Sequence, residues 1–271
     1  MAVRLFLVGT PRSGTTLLQC LLGLHPDLRS YTESHLFSKM RILPGEVRIA
    51  KTLPPRFMAF IEENKIETDL DPPEPGVHPL EFGLAQARKC ISLLDVGASQ
   101  RVKAGWLEKT PLNLLHLDSI RTLAPDAKII HIVRHPASVV RSLQAVERAW
   151  HKGGTSAIAP EMRWARDAMI TLERAEHDYV VVYEQLAENP VAILDHLFQA
   201  IGLRSWQVDP DRHSEVAAQV VLPYEREWKA NNLRPGVNGS QTNVRLASVA
   251  DSLVRLYELI ADRSSFEAKP G

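Results

Sequence analysis

A six-residue loop bounded by glycines, Gly9–Gly14, constrains the fold of this chain more than any other feature. It follows the apolar run Val3–Val8 and leads into the helical pattern of Thr15–Leu24. The two glycines allow a tight turn in which backbone N–H groups converge, and the positive end of the helix dipole lies behind them. The order of strand, tight loop and helix therefore predicts a site for a phosphate-like anion.

Two further segments have the character of strands in a parallel sheet. Lys128–Val133 leads through a short turn into the helical pattern Ala137–Trp150, and Tyr179–Tyr183 follows the helical pattern Glu161–Glu176. Largely apolar strands that do not alternate with polar residues are typical of sheets covered on both faces. The alternation of strands and helices predicts an α/β fold over residues 1–271, with one P-loop-like, doubly wound parallel sheet and helices on both faces.

Two regions depart from this alternation. Residues 41–100 contain helix-like pieces separated by prolines and no obvious strand, which predicts a helical insertion over the sheet that shapes an acceptor pocket. Residues 231–243 are polar and contain Pro235, Gly236 and Gly239. Long loops without secondary structure are uncommon unless they are functional or disordered. We therefore expect this late loop to be either functional or disordered.

Composition narrows the classes of function. The 32 Lys and Arg residues balance the 32 Asp and Glu residues, so nothing favours nucleic acid as the main partner. No run approaches the ~20 apolar residues that span a bilayer, and the first apolar run is too short for a signal peptide. Cys20 lies in an apolar helical run and can bridge only to Cys90, so we expect a buried reduced thiol. These features predict a cytoplasmic protein without a membrane span.

The glycine loop is close to that of a nucleotide kinase but lacks its lysine. Its glycine spacing matches a P-loop, yet Thr15 follows Gly14, and the cation is Arg12 inside the loop. Thr15 and Thr16 add hydroxyl donors. We see no aspartate that ends a buried strand, which a Mg²⁺-dependent kinase requires. The sequence also has no Cys-x-x-Cys pair, so we expect no metal site. A P-loop nucleotide kinase is the alternative enzyme.

The segment Pro11–Leu18 closely resembles the 5′-phosphosulfate loop of sulfotransferases that use 3′-phosphoadenosine 5′-phosphosulfate (PAPS). Cytosolic members carry lysine at the position of Arg12, whereas tyrosylprotein sulfotransferases carry arginine. The next segment, His25–Arg29, is also similar to the tyrosylprotein enzymes. The resemblance implies PAPS as the co-substrate, adenosine 3′,5′-bisphosphate (PAP) as the product, and a phosphosulfate site built from Arg12, Ser13, Gly14, Thr15 and Thr16.

A second element, Ile129–Pro136 followed by Ser142, resembles the 3′-phosphate site of the same family. In that site an arginine ends a strand and a serine follows eight positions later on the next helix. Arg134 would lie at the carboxyl edge of the sheet, where open α/β folds bind ligands, and its planar guanidinium suits a phosphate. PAPS has a 3′-phosphate and ATP has none, so the two elements together favour PAPS.

Sulfuryl transfer needs a base and a cation near the glycine loop. The resemblance places the catalytic glutamate of tyrosylprotein sulfotransferases at Glu33, although the acid before it is replaced here by Thr32. It also implies that Lys109 contacts the bridging oxygen or the sulfonate and that Arg12 stabilises the same charge. His35 is the alternative base, because a histidine with a pKa of about 6.5 is suited to act as a base at neutral pH. Burial would have to raise the pKa of Glu33 for it to act equally well.

The remaining expectations concern the rest of the cofactor site and the acceptor. Tyr183 resembles a tyrosine of the tyrosylprotein sulfotransferases that contacts the adenosine side of the cofactor. A tyrosine buried in the core is the alternative. Lys229 and Arg234 fall where the family closes a loop over the cofactor, here residues 229–245. We expect sulfuryl transfer to a hydroxyl or amine of a small molecule, lipid or saccharide. A homodimer is compatible with the sequence, and a nucleotide-binding module without catalysis is the non-enzyme alternative.

Overall fold

The computed structural model describes residues 2–39, 41–43, 46–48, 55–68, 79–150, 158–225, 229 and 249–264. Its strands are β1 Val3–Gly9, β2 Leu28–Ser30, β3 Arg41–Leu43, β4 Glu46–Arg48, β5 Gly105–Lys109, β6 Lys128–Val133 and β7 Tyr179–Val182. Five of them form a parallel sheet in the order β2-β5-β1-β6-β7. The other two, β3 and β4, form a separate antiparallel pair.

The helices lie between and after these strands. They are α1 Thr15–Leu22, α2 Pro55–Glu63, α3 Pro79–Ser99, α4 Leu117–Leu123, α5 Pro136–Trp150, α6 Pro160–Arg174, α7 Tyr183–Glu188, α8 Pro190–Ala200, α9 His213–Val220 and α10 Asp251–Ala261. Prolines at the first position of several of them suit the helix start, where the missing N–H would have no partner within the helix. No helix among these described residues is long and apolar enough to cross a membrane.

Both faces of the sheet are covered, as the apolar strands predict. Leu5 and Leu7 of β1 pack with buried residues of α1, α7 and α8 on one face. Phe6 and Val8 pack on the other face with buried residues of α2, α3 and α4. Each large apolar side chain buried in this way contributes about 1.5–3 kcal/mol relative to exposure. The doubly wound α/β fold is confirmed.

Two strand predictions need correction, and two strands of the sheet were not predicted. β7 ends at Val182, because Tyr183 already has helical geometry and begins α7. Residues 41–100 contain the β3–β4 pair, so the expectation of no strand there is wrong. The structure also adds β2 and β5 to the sheet, which the sequence patterns did not predict. The late loop at residues 231–243 lies outside the described residues. Cys20 is a buried free thiol, as expected, and Cys90 is a buried free thiol as well.

The register of the sheet brings distant segments to one edge. Gly9 at the end of β1 is paired with Ile132 of β6, and Leu7 is paired with Lys109 at the end of β5. Since all three strands are parallel, their carboxyl ends point to the same side. The glycine loop, Lys109 and the turn after β6 therefore lie at one edge of the sheet.

Candidate active site

The glycine loop is shaped by two close backbone approaches. A Cβ atom on Gly9 would lie 2.5 Å from the carbonyl oxygen of Ile132, so a side chain there would push β1 and β6 apart. Gly14 has φ 101°, and a Cβ atom on it would lie 2.3 Å from Cδ2 of Tyr183. Arg12 also has a positive φ, 79°, although it is not glycine. A strained residue of this kind is held only by its surroundings and is typical of functional loops.

Hydrogen bonds inside the loop explain the role of Ser13. Its backbone N–H and its hydroxyl both donate to the carbonyl oxygen of Thr10, at 3.1 and 2.7 Å. Thr15 and Thr16 are buried and open α1, where the first N–H groups find no acceptor within the helix. The hydroxyl of Ser13 thus stabilises the loop, while the N–H groups at the start of α1 are available to an anion.

The predicted 3′-phosphate residues lie next to the glycine loop. Nε of Arg12 donates to Oγ of Ser142 across 2.9 Å. Arg134 is buried, and its Nε has no hydrogen-bond partner among the described residues. Burial, and then the charge of Arg134, lower the pKa of Arg12. Two guanidinium groups and one hydroxyl therefore lie close together, and Nε of Arg134 is still able to donate to a ligand as far as the described residues go. Such a group favours an anion with several oxygens.

Tyr183 and a C-terminal helix support the turn that carries Arg134. The guanidinium carbon of Arg134 lies 4.1 Å from the centre of the Tyr183 ring, within the range of a cation–π contact. Glu184 accepts a hydrogen bond from the backbone N–H of His135 at 3.1 Å and another from the hydroxyl of Tyr257 at 2.9 Å. Tyr183 thus contacts Arg134 and also belongs to the core, and α10 contributes through Tyr257.

Glu33 is surrounded by cationic side chains at the same edge of the sheet. Its Oε1 accepts hydrogen bonds from Nζ of Lys109 at 2.5 Å and from Nζ of Lys229 at 2.9 Å. Its Oε2 lies 3.4 Å from Nε2 of His35. Lys229 also donates to Glu225 at 2.5 Å. The structure therefore brings both candidate bases and both predicted lysines together, with Glu33 at the centre.

The charges of this cluster set the pKa values of its members. Burial acts to raise the pKa of Glu33, but Lys109 and Lys229 outweigh it and lower that pKa to about 2. Burial lowers the pKa of Lys109, although Glu33 opposes it. Burial also acts to lower the pKa of Lys229, but Glu33 and Glu225 outweigh it and raise the pKa of Lys229. Burial alone therefore does not turn Glu33 into a base for neutral pH.

Sequence reasoning missed two carboxylates of this region. Glu108 is completely buried beside Lys109, and Glu225 is the second partner of Lys229. A Glu-Lys pair normally indicates exposed loop, and only the position of these residues on a central strand shows that they are buried. Residues 230–245 of the predicted covering loop, which include Arg234, lie outside the described residues. Within the described part of the chain, no cluster of His, Cys, Asp and Glu could hold a metal ion.

Comparisons with known proteins agree with this geometry. The profile of the sulfotransferase family matches residues 4–208. Nodulation protein NoeE of Sinorhizobium fredii is 25% identical over 234 residues, which are 73% of this chain and 49% of the relative, so the chain spans about half the length of that protein. A putative protein-tyrosine sulfotransferase of Caenorhabditis briggsae is 23% identical over 241 residues, 86% of this chain and 77% of the relative.

Solved structures share the fold. The sulfotransferase domain of the olefin synthase of Synechococcus PCC 7002 superposes with a TM-score of 0.60 at 20% identity, covering 96% of both chains. The sulfotransferase domain of the curacin biosynthetic pathway gives a TM-score of 0.59 at 17% identity, covering 96% of this chain and 98% of that one. The glycine loop, the buried arginine beside it and the family match lead to one conclusion: this chain belongs to the sulfotransferase family.

Proposed function

We propose that this protein transfers a sulfuryl group from PAPS to a hydroxyl or amine acceptor. The observation that carries the proposal is the buried guanidinium of Arg134, whose Nε lacks a partner among the described residues and which lies beside the Arg12–Ser142 pair. A buried donor without an acceptor is costly, which suggests that a ligand oxygen completes the site. ATP, which has no 3′-phosphate, would leave this donor unpaired.

The residues at the edge of the sheet fit the two ends of PAPS. The N–H groups at the start of α1 and the guanidinium of Arg12 would hold the 5′-phosphosulfate. Arg134 and Ser142 would hold the 3′-phosphate, with the ring of Tyr183 beneath Arg134 on the adenosine side. The bound donor supplies the sulfuryl group and a phosphate leaving group. Lys229 and Arg234 remain proposed contacts of a covering segment at residues 229–245.

The charge cluster supplies the catalytic groups in this proposal. Glu33 takes the proton of the acceptor hydroxyl, and Lys109 and Arg12 donate to the oxygens on which negative charge grows. In the unliganded chain, Lys109 and Lys229 keep the pKa of Glu33 at about 2. Donor oxygens would compete with Glu33 for these ammonium groups, and a carboxylate that shares its cations with them is a stronger base. His35, 3.4 Å from Glu33, is the alternative base.

The acceptor is proposed from the sequence alone. Residues 41–100 would shape its pocket, and a small alcohol, a lipid or a saccharide is the expected class. One relative is named as a putative protein-tyrosine sulfotransferase, so a tyrosine-containing peptide belongs among the acceptors to be tried. The cytoplasmic location and a homodimer are further expectations from the sequence.

The proposal is tested first by calorimetric titration with PAP, with AMP as the matched ligand that lacks the 3′-phosphate. We expect PAP to bind at least ~100-fold more tightly, which corresponds to about 3 kcal/mol for two charge-assisted contacts. Conversion of PAPS to PAP is then followed with phenols, primary alcohols, amines, saccharides and a tyrosine peptide. Equal binding of PAP and AMP overturns the PAPS assignment, and ATP turnover with Mg²⁺ would favour a kinase. Tight PAP binding without turnover on any acceptor would favour a nucleotide-binding module.

A further inference from the structure

Glu108 is a completely buried carboxylate with four hydrogen-bond donors around it. Its Oε1 accepts from the backbone N–H of Ser34 at 3.0 Å, the hydroxyl of Ser34 at 2.8 Å and the hydroxyl of Thr110 at 2.5 Å. Its Oε2 accepts from Nδ2 of Asn113 at 2.9 Å. Three of these bonds therefore converge on one oxygen, and two of them come from the residue directly after Glu33.

The segment that Glu108 holds is strained. His35 has φ 50°, in the left-handed region that few residues other than glycine adopt. Its backbone N–H donates to the hydroxyl oxygen of Thr110 at 3.3 Å, and that hydroxyl gives its own proton to Glu108. Glu108 thus anchors Ser34 directly and His35 through Thr110. A strained backbone persists only where its surroundings fix it, and these bonds provide that restraint.

The place of Glu108 in the chain connects this restraint to the charge cluster. Glu108 immediately precedes Lys109 on β5, and Lys109 donates to Glu33. At the end of β5, the side chain of Glu108 therefore binds Ser34, and the side chain of the next residue, Lys109, binds the carboxylate of Glu33. The distance between Glu33 and Lys109 consequently depends on how firmly residues 33–35 are attached to β5.

We propose that Glu108 is a positioning residue that fixes the segment 33–35 on the end of β5 and so holds Glu33 against Lys109. The inference rests on the proposed function for its catalytic consequence, but the restraint itself is a property of the unliganded chain. Glu108 acts here as a hydrogen-bond acceptor for backbone and hydroxyl groups, and its side chain is completely buried.

Three variants separate this role from a general effect on folding. Glu108→Leu removes the acceptor. Glu108→Gln keeps an acceptor oxygen for Ser34 and Thr110. Oδ1 of Asn113 is buried and has no hydrogen-bond partner in the part of the chain that the structure describes, so it can accept from the new amide once the Asn113 amide turns over. Asn113→Ala is the matched control, because Asn113 binds the other oxygen of Glu108 and makes no hydrogen bond to residues 33–35 among those described.

Hydrogen exchange of the backbone amides of Ser34 and His35 is the first readout, in the unliganded protein. We expect exchange at least ~10-fold faster in Glu108→Leu, with little change in Glu108→Gln and in Asn113→Ala. PAPS turnover with the best acceptor should fall about 100-fold in Glu108→Leu and less than ~5-fold in the other two, because a misplacement near 1 Å costs about that factor. PAP affinity should stay within ~3-fold in all three, because Arg134 and the glycine loop lie on other elements.

Several outcomes would overturn the proposal. Unchanged exchange and turnover in Glu108→Leu would show that the segment needs no anchor. A loss in Glu108→Gln as large as in Glu108→Leu, with both amides still protected, would show that the charge matters and not the position. If Glu108→Leu does not fold, Thr110→Val tests the same link, since it removes the acceptor of the His35 N–H, and unchanged exchange at His35 would then count against the proposal. Failure of the wild-type protein to bind PAP would overturn the proposed function but leave the exchange result interpretable.

Discussion

Nζ of Lys109 and Oε1 of Glu33 lie 2.5 Å apart, although 76 positions separate the two residues in the chain. Lys109 is almost completely buried, so its ammonium group has lost most of its water. A buried charge of this kind is tolerated only when a partner compensates it. The pair is therefore part of the architecture at the end of β5 as well as the proposed centre of catalysis, and its two roles can be separated by experiment.

Replacement of Glu33 by glutamine should remove the base and keep the shape of the side chain. We expect PAPS turnover to fall by a factor of about 10²–10⁴, the usual contribution of a general base. PAP affinity should change only a few-fold, because the proposed cofactor contacts lie on the glycine loop and after β6. Turnover with the best acceptor and calorimetry with PAP measure the two effects.

Glu225→Gln is the control for this experiment, since it also removes one carboxylate from the cluster but leaves Glu33 in place. It should retain most of the turnover. If Glu33→Gln stays active while His35→Asn loses turnover with PAP binding intact, the base is His35 and the assignment of Glu33 is wrong.

The same pair predicts a dependence of stability on pH. The pKa of Glu33 is about 2 in the folded chain, against an ordinary value of 4.5. A carboxylate whose pKa is depressed by folding stabilises the fold above its ordinary pKa and loses that effect as the pH falls through the folded value. A shift from 4.5 to about 2 corresponds to about 3 kcal/mol of unfolding free energy at pH 7.

Urea denaturation at several pH values measures this contribution. Glu33→Gln should be about 3 kcal/mol less stable than the wild type at pH 7, because Lys109 loses its partner, and the difference should shrink by about 2 kcal/mol at pH 3. A difference that stays constant between pH 7 and pH 3 would show that the Glu33 carboxylate is not held by Lys109 and Lys229.

The elements that local patterns predicted are those in which neighbouring residues decide the structure. The apolar runs of β1 and β6 and the tight turn at Gly9–Gly14 depend on residues close in sequence, and the structure confirms them. The bounds of β6 are those predicted, Lys128–Val133. Both the glycine loop and the turn with Arg134 could therefore be located from the sequence.

The elements that the sequence did not reveal depend on distant partners. β5 carries Glu108 and Lys109, whose charges hide a strand that is nevertheless completely buried. These charges are buried because Ser34, Asn113 and Glu33 compensate them, and no local pattern contains that information. Lys229 is a similar case, because it pairs at 2.9 Å with Glu33, which lies 196 positions away in the chain.

Arg134→Ala should abolish the discrimination between PAP and AMP. Loss of a charge-assisted contact to the 3′-phosphate should weaken PAP binding by about 10–100-fold, while AMP binding should change much less. Calorimetry with both nucleotides gives the ratio directly, and Arg212→Ala, which removes an exposed arginine that pairs with exposed Glu215, is a control for the loss of an arginine. An unchanged ratio in Arg134→Ala would place the 3′-phosphate elsewhere, whatever the effect on turnover.

Gly14→Ala should disrupt the glycine loop by two independent effects. Alanine rarely adopts the φ of 101° at this position, and its Cβ would lie 2.3 Å from Cδ2 of Tyr183, the ring on which the guanidinium of Arg134 rests. Backbone strain and steric overlap together should cost about 3 kcal/mol of unfolding free energy and displace the ring or the loop. We therefore expect a lower denaturation midpoint and a loss of PAP affinity of at least ~10-fold.

Gly202→Ala separates the two effects in the same fold. Gly202 also has a positive φ, 79°, but the nearest atom to an added Cβ is the flexible Nζ of Lys128 at 3.4 Å. This variant should show the cost of backbone strain alone, about 1 kcal/mol, with PAP affinity unchanged. If Gly14→Ala were no less stable than Gly202→Ala and bound PAP as the wild type does, the close packing of the glycine loop on Tyr183 would not be required for the cofactor site.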